Sequence, residues 1–523
     1  MAAQDALEVE RKYTVEAATP IPSLEGLPEV RRVGAPVTHT LEAVYFDTED
    51  FALAANRITL RRRTGGKDAG WHLKLPGKGG ARTEVTEPLG ADAARVPERL
   101  RHLVSVHTRA RDLRPVARLK TRRTVVLLLD AEGTALAEFC DDHVESEAPP
   151  SGGLRQAWRE WEIELIGGEE ELLSAADDLL ADGGVHPAEL PSKLARALGP
   201  SYPVLPERAE RPKRKGPAGV VLLARLRGQA EALKAMDPQV RQDAPDAVHQ
   251  LRVAVRRMRS ALATFRPFVD AERANRLRDE LKWLSQTVGQ ARDVEVMRER
   301  LAELAGAEPG ALVVGPVADR IRRESEARYR QAHEVGLVAL DSERYFRLLD
   351  TLDAFLAEPP LTERAAKAAR KAVAKRVAKD IERLHDAVDA AEEAEDADAD
   401  QDTVDAAEEA EDADADQDTV DAALHEVRKK AKRLRYAAEA ARPVLGKRAK
   451  RLAKAAEQIQ ETLGELQDSV VSRGHLLDLA AQAHEEGDSA FSFGRLHALE
   501  QQRAAEARTR FALDWADFTE RHP

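Results

Sequence analysis

Two segments of this chain repeat each other at a fixed interval. VHQLRVAVRRMRSAL (residues 248–262) aligns with LHEVRKKAKRLRYAA (424–438), and TVGQARDV (287–294) aligns with TLGELQDS (462–469). His249 precedes Asp293 by 44 residues, and His425 precedes Asp468 by 43. Two motifs kept in one order at nearly one separation require two copies of a single supersecondary unit, packed about a pseudo-twofold axis. The surrounding sequence says what that unit is. After Val220 the apolar residues recur with helical period, as in VVLLARLRGQAEALKAM and ERYFRLLDTLDAFLA, and no strand-like run intervenes before Phe518. The repeat therefore predicts two related helical bundles.

Each copy carries a line of bases. His249, Arg252, Arg256 and Arg259 fall at i, i+3, i+7 and i+10, and His425, Arg428, Lys432 and Arg435 keep that spacing and character. On a helix of 3.6 residues per turn each set is one stripe, about 15 Å long at 1.5 Å per residue. Without acids of its own, such a stripe asks for an extended polyanion or for carboxylates on a neighbouring helix. A solvated basic face is the plainer alternative, weakened by the recurrence of the stripe. A metal role for the histidines lacks a second His at i+4 or a nearby Cys. Asp293 and Asp468 are expected to hold the bases in place or to cap a helix.

Net charge conceals this layout. The whole chain is −13, and residues 201–523 hold 54 basic and 60 acidic residues, yet 16 of those acids sit in DAAEEAEDADADQDTV, present twice at 389–404 and 405–420. The helical half is a basic body with an acidic insert at 389–420. DADADQD resembles the start of a calcium loop without its Gly and closing Glu, so the insert is expected to be a solvated acidic loop or ragged helix.

The first 200 residues read differently. LEVERKYTV, THTLEAVYF, RITLRRR, GWHLKLP, RTEVTE, VARLKTRRTVVLLL, ALAEFCDD and REWEIELIG alternate charged and apolar residues between Gly, Pro and Asp breaks. Eight antiparallel strands suffice to close a small barrel or form a broad sheet. Single-face sets follow from the alternation: Glu8, Glu10 and Lys12; Arg61 and Arg63; His72 and Lys74; Arg82 and Glu84; Arg118, Lys120 and Arg122; Glu138 and Asp142; Glu160, Glu162 and Glu164. Parity sends Arg123 to the other face. Turned inward, these faces would line a tunnel with bases that clamp phosphates and carboxylates that hold divalent cations. Turned outward, they are an ordinary solvated face. EEELLSAADDLLA and PSKLARAL have helical pattern, and SYPVLPERAERPKRKGPAG reads as a linker, giving boundaries at 1–200, 201–217 and 218–515.

A single cysteine, Cys140, excludes a disulfide scaffold and a Cys-built zinc site. No run of about 18 apolar residues and no signal-peptide pattern is present, so a cytoplasmic protein without a membrane partner is expected.

The basic His helices, with GQARD at Gly289–Asp293 and GELQD at Gly464–Asp468, resemble the CHAD domain, a module of two four-helix bundles that binds inorganic polyphosphate. Gln467 departs from the pattern where the first copy has Arg292, and the acidic insert is not a family requirement. In the strand half, ExExK at Glu8, Glu10 and Lys12, LRRR at 60–63, LKLPG at 73–77, RTE at 82–84 and EIEL at 162–165 resemble the CYTH family of triphosphate tunnel enzymes. The expected architecture is thus an antiparallel β-barrel of the α+β triphosphate-tunnel type followed by an all-α domain.

The resemblance implies that Glu8, Glu10, Glu162 and Glu164 bind Mg²⁺ or Mn²⁺. It implies that Arg61, Arg63, Lys74, Arg82, Arg118, Lys120 and Arg122 grip the substrate, and that Lys12 positions or activates water, given a pKa lowered by neighbouring cations. The implied activity is a metal-dependent inorganic triphosphatase, with triphosphate and long-chain polyphosphate as partners. The alternatives are a non-catalytic protein docked on polyphosphate granules, a hydrolase of nucleoside or thiamine triphosphates, and an adenylate cyclase. P-loop, dinucleotide, hydrolase-elbow and zincin motifs are absent from the sequence. The stripes lack the interleaved aromatics and amides of sequence-specific nucleic-acid readers. Oligomeric state is not encoded in any of these patterns.

Overall fold

The computed structural model describes residues 5–522, apart from 67, 78–81, 91, 93, 150–152, 205–209 and 402–409, and apart from the side chains of 5–8, 82, 398–401 and 410–418. The chain forms two compact units, residues 1–207 and 208–523. Among the described residues no helix is long and apolar enough to cross a membrane.

The first unit is built on strands β1 (Asp5–Glu8), β2 (Glu10–Val15), β3 (Arg32–Val33), β4 (Val37–Asp47), β5 (Thr59–Thr64), β6 (Gly70–Pro76), β7 (Arg82–Glu87), β8 (Arg114–Leu129), β9 (Ala135–Ala148) and β10 (Leu154–Leu165). Its sheet runs β1-β7-β6-β5-β4-β8-β9-β10-β2, antiparallel throughout, with β3 on β8. Only Val9 separates β1 from β2, so one stretch of chain forms both ends of the order and curls the sheet closed on itself.

Closure decides which face must be apolar. Tyr13, Phe139, Trp161 and Ile163 turn outward and pack with Leu172, Leu173 and Leu180 of helix α3 (Glu170–Asp182). On the other side Leu60, Trp71, Leu73 and Val85 pack outward on Leu53 of α1 (Ala52–Ala55) and on Leu100, Leu103 and Val104 of α2 (Glu98–Thr108). The core therefore lies outside the curled sheet, under helices, and the alternate residues left to the interior are the charged ones. One stretch of the interior is apolar. There Tyr45, Leu119, Val144 and Trp158 meet Leu194, Ala197 and Leu198 of α4 (Lys193–Leu198).

The second unit is all-helical. Its first half comprises α5 (Ala218–Arg241), α6 (Ala247–Thr264), α7 (Ala271–Ala307), α8 (Val317–Leu340) and α9 (Glu343–Ala357). Its second half comprises α10 (Ala369–Gln401), α11 (Ala410–Leu445), α12 (Lys447–Glu485) and α13 (Phe491–Arg521). The duplicated motifs fall on α6 with α7 and on α11 with α12, and α6 packs against α11. The described residues of the acidic insert are helical: α10 runs into the first copy as far as Gln401, and α11 begins at Ala410 within the second. Val388, Ala391 and Val420 are buried between these antiparallel helices, which gives the insert an apolar seam.

Candidate functional site

Strand register places the interior charges. Glu10, Lys12 and the backbone of Glu8 share one face of β1 and β2; Glu164 lies opposite Glu10 and Glu162 opposite Lys12. Further round, Glu160 lies opposite Asp142 and Glu164 opposite Glu138. Arg61 pairs with His72, and Lys74 with Glu84. By sheet order, the carboxylate-rich strands β9, β10 and β2 form one wall and the base-bearing strands β5 and β6 the wall across from it. Arg82 lies opposite Glu8 in register, and the side chains of both fall outside the described residues.

Glu162 is the hub of the interior. Lys12 donates to Glu162 and, at 2.7 Å, to Glu10. Arg123 donates to Glu162 and to both oxygens of Asp142 at 2.8 and 2.6 Å. Lys193, the first residue of α4, places its ammonium 2.7 Å from Glu162, 2.9 Å from Asp142 and 2.6 Å from Glu160. Burial alone would raise the carboxyl pKa of Glu162, but Lys12, Lys193 and Arg123 outweigh it and hold that pKa well below the usual carboxylate range. Lys12 answers in kind. Burial pulls its pKa down, Glu162 and Glu10 more than restore it, and the amine stays protonated. These acidic neighbours move the Lys12 pKa in the direction opposite to the lowering that water activation would need.

The donor set suits a hard divalent cation. Among the described residues, Asp142, Glu160 and Glu162 each offer an oxygen within 4.8 Å of the others, and all three are buried. Lys193 pairs with all three, so an ion held there would have to take the place of its ammonium. The Glu162–Glu164–Glu10 set overlaps this group at Glu162. Glu164 itself has its pKa raised, by burial and by the neighbouring carboxylates Glu10, Glu162 and Glu138, against the lowering pull of Lys74.

On the facing wall, burial and the neighbouring Arg61 lower the pKa of Arg63, while Tyr45 and Glu84 outweigh burial and raise that of Arg61. Arg63 donates to the Asp68 carboxylate at 3.0 Å, and His72 bonds Glu84 at 3.0 Å and the Asp68 carbonyl at 2.9 Å.

Strand β8 departs from expectation. Arg118, Lys120 and Arg122 are exposed on the outer face, where they pair in register with Glu147, Glu145 and His143. Lys120 and Arg122 help line an outer groove of about 670 Å³ with Thr40, His143 and Arg159. Arg123, sent outward by sequence parity, is the base that reaches inside. The reason is local: TRRT carries charge on both faces, because neither α2 nor α3 covers β8 there, and alternation cannot say which face is interior. Sequence reasoning also passed over Lys193. Its signal was a base at the first position of a Ser192-capped helix, next to the positive end of the helix dipole, a placement that calls for facing acids.

In the helical unit the apolar stripe precedes the basic stripe by one residue. Val248, Leu251, Val255 and Met258 are buried on α6, as are Leu424, Val427, Ala431 and Leu434 on α11. Each base therefore stands about 100° from the core and at the rim of the helix contacts. Arg252 donates to the Gly289 carbonyl at 2.8 Å and to Asp293 at 2.6 Å, and Arg428 lies 3.9 Å from Asp468. The glycines make room for this: a Cβ on Gly289 would sit 2.9 Å from the Arg252 guanidinium, and one on Gly464 3.2 Å from Arg428.

His249 and His425 have lowered pKa values, chiefly through burial, and His425 hydrogen-bonds Gln467, the residue that replaces Arg292. Arg435 is matched by Glu457 at 2.5 Å and Glu439 at 3.3 Å. Burial and neighbouring Arg278 lower the pKa of Arg259. Arg252, Arg256, Arg428 and Lys432 converge where α6 meets α11.

Residues 6–194 match the CYTH domain and residues 224–477 the CHAD domain. The chain is 39% identical over 518 residues to the uncharacterized protein Rv2226 of Mycobacterium tuberculosis, covering 96% of this chain and 94% of that one. Among solved structures it is similar to the CHAD domain from the plant Ricinus communis, at 25% identity and TM-score 0.43, covering 60% of this chain and 96% of that one. It is also similar to the adenylyl-cyclase-type protein HpAC1 from Hippeastrum, for which a dominant triphosphatase activity is described, at 21% identity and TM-score 0.25, covering 38% of this chain and 98% of that one.

Proposed function

The chain belongs to the family of proteins that join an N-terminal CYTH domain to a C-terminal CHAD domain, and from this premise we propose that it is a metal-dependent inorganic triphosphatase carrying a polyphosphate-binding helical module. CYTH family members are triphosphate-tunnel enzymes with triphosphatase or cyclase activity. The observation that carries the finer reading is the interior of the curled sheet, where a wall of buried carboxylates centred on Glu162 faces a wall of bases. A linear triphosphate is recognised by charge alone and needs no base-stacking surface, and the described interior charges provide that recognition.

Arg61, Arg63, Lys74 and Arg123 are the proposed grips on phosphate oxygens, with Arg82 added by the family resemblance. Lys193 and Lys12 exchange carboxylate partners for substrate oxygens as the anion enters. Lys12, kept protonated by Glu162 and Glu10, acts by donating to an oxygen and orienting it. Asp142, Glu160 and Glu162 would hold Mg²⁺ or Mn²⁺, with Glu10, Glu164 and Glu8 alongside. The ion, when bound, supplies neutralisation of charge developing on the phosphates. In the helical unit His249, Arg252, Arg256, Arg259, His425, Arg428, Lys432 and Arg435 are the proposed polyphosphate contacts.

Glu162→Gln tests the reading, because it keeps the shape of the hub and removes its charge. Phosphate release from triphosphate should fall about a hundredfold or more, on the scale of losing a preorganised electrostatic group. A folded variant with the wild-type rate would refute the assignment.

A further inference from the structure

The two basic stripes meet at the α6–α11 contact, and Lys432 is one of the members that form no ion pair among the described residues. Arg256 donates to the Tyr436 hydroxyl at 2.7 Å and lies 5.5 Å from the ring centroid, which ties α6 to α11. Arg252 is held by Gly289 and Asp293, and Arg428 faces Asp468. Lys432 is half-buried among Arg252 and Arg256 from α6 and Arg428 from its own helix, and it has no ion-pair partner among the described residues. The acid that acts on it is Asp468 of α12, which also serves Arg428 and Arg300. Charged groups from the other helices packed on α11 are engaged elsewhere. Asp380 of α10 pairs with Arg433, Arg225 of α5 with Glu439, and Arg508 of α13 with Asp421.

Resting on the polyphosphate-binding reading, we propose that Lys432, a half-buried amine set among three arginines at the α6–α11 contact, is a proton-linked anion-binding residue: a phosphate chain laid across that contact draws a proton onto its amine, so polyphosphate affinity falls as pH rises. Burial first, then Arg256, Arg428 and Arg252, pull the Lys432 amine down to about 7. A polyanion reverses the local field and moves that value back toward the ordinary lysine range of about 10.4. The sign follows. Below pH 7 Lys432 is already charged and binding takes up no proton there. Above pH 7 it is neutral in the free protein, binding must capture a proton, and affinity falls by up to about tenfold per pH unit. The arginines stay charged throughout. His249 and His425, with lowered pKa values, would take up protons on the same argument, and any slope they contribute persists in Lys432→Arg, which removes only the share of Lys432. The first copy of the motif has Arg256 at the matching position, so only the second copy carries this titrating group.

The test is calorimetric titration of the full chain with long-chain polyphosphate, divalent ions chelated, in two buffers of different ionisation enthalpy at pH 6 and pH 8. Wild type should take up close to one proton at pH 8 and bind about tenfold more weakly than at pH 6. Lys432→Arg should bind at pH 8 as wild type does at pH 6, without that proton, and Lys432→Met should bind weakly at both. Circular dichroism establishes that each variant is folded. Affinity that is flat with pH in wild type, or a wild-type pH slope retained in Lys432→Arg, overturns the inference while leaving polyphosphate binding standing. Failure of wild type to bind at pH 6 overturns the binding reading itself, and the inference with it.

Discussion

A buried carboxylate that holds three cations at once, as Glu162 does with Lys12, Arg123 and Lys193, is a poor way to stabilise a fold, because desolvation offsets much of the attraction. It is an effective way to keep charges in place for an incoming anion. Lys12→Ala and Glu10→Gln should each cut triphosphate turnover about a hundredfold or more while the protein stays folded, since Glu162 keeps Arg123 and Lys193. Phosphate release under saturating substrate, with a melting curve for each variant, checks this. Strand β8 gives a sharper test of geometry. Arg123→Ala should lose most activity, whereas Arg122→Ala and Lys120→Ala, outside the curled sheet, should stay within about twofold of wild type; the reverse pattern would mean that β8 is turned the other way. Most of the interior was legible from alternation, because on β2, β5, β6 and β10 the face opposite the inward charges carries large apolar residues (Tyr13, Leu60, Trp71, Leu73, Trp161 and Ile163) that must go under a helix. On β8 both faces are charged, so alternation could separate the two sets without saying which was inside. Lys193 was harder to read for a different reason: its only signal is its place after the Ser192 cap of a short helix, which does not say that the helix end meets the interior of the sheet.

Helices α6 and α11 show how one residue of phase between two stripes builds a binding surface. The apolar stripe fixes the helix against its bundle, and the bases, offset by about 100°, are carried to the edge of the same contact. The glycines on α7 and α12 belong to this device. Gly289→Ala should raise intrinsic helix stability by about 1 kcal/mol, yet its Cβ would push the Arg252 guanidinium off Asp293. The expected outcome is a melting temperature equal to or above wild type together with several-fold weaker polyphosphate binding, read by calorimetry. The acidic repeat is the element whose form the sequence disguised. Its like charges at i, i+3 and i+4 argue for a loose segment, and they hid the spacing of Val388, Ala391 and Val420, which pairs α10 with α11. Because the copies are identical, deleting residues 405–420 brings Val404 to the place of Val420 before Asp421 and shortens the helical pair without changing its base. Melting temperature should move by no more than a few degrees. A collapse of the helical unit would show that the outer part of the insert contributes to its packing.

Across the whole molecule the overall charge of −13 describes neither unit, because acids in the curled sheet and in the insert mask the bases that each unit concentrates. The two anion-binding surfaces proposed here are built from separate residues in separate units, so they should fail separately. Changing Arg252, Arg256, Arg428 and Lys432 together to Ala should weaken polyphosphate binding strongly, flatten its salt dependence, and leave triphosphate hydrolysis nearly intact. Equal binding by this variant would return the stripes to a solvated basic face. The proposed hydrolysis takes place inside the curled sheet. The most direct measurement is phosphate release by the full chain from inorganic triphosphate, ATP, thiamine triphosphate and long-chain polyphosphate, each with Mg²⁺, with Mn²⁺ and with a chelator. A metal-dependent triphosphatase should release phosphate rapidly from triphosphate only with one of these ions, and more slowly from the other three. No release from triphosphate under any condition, or release that persists undiminished in chelator, would contradict that reading.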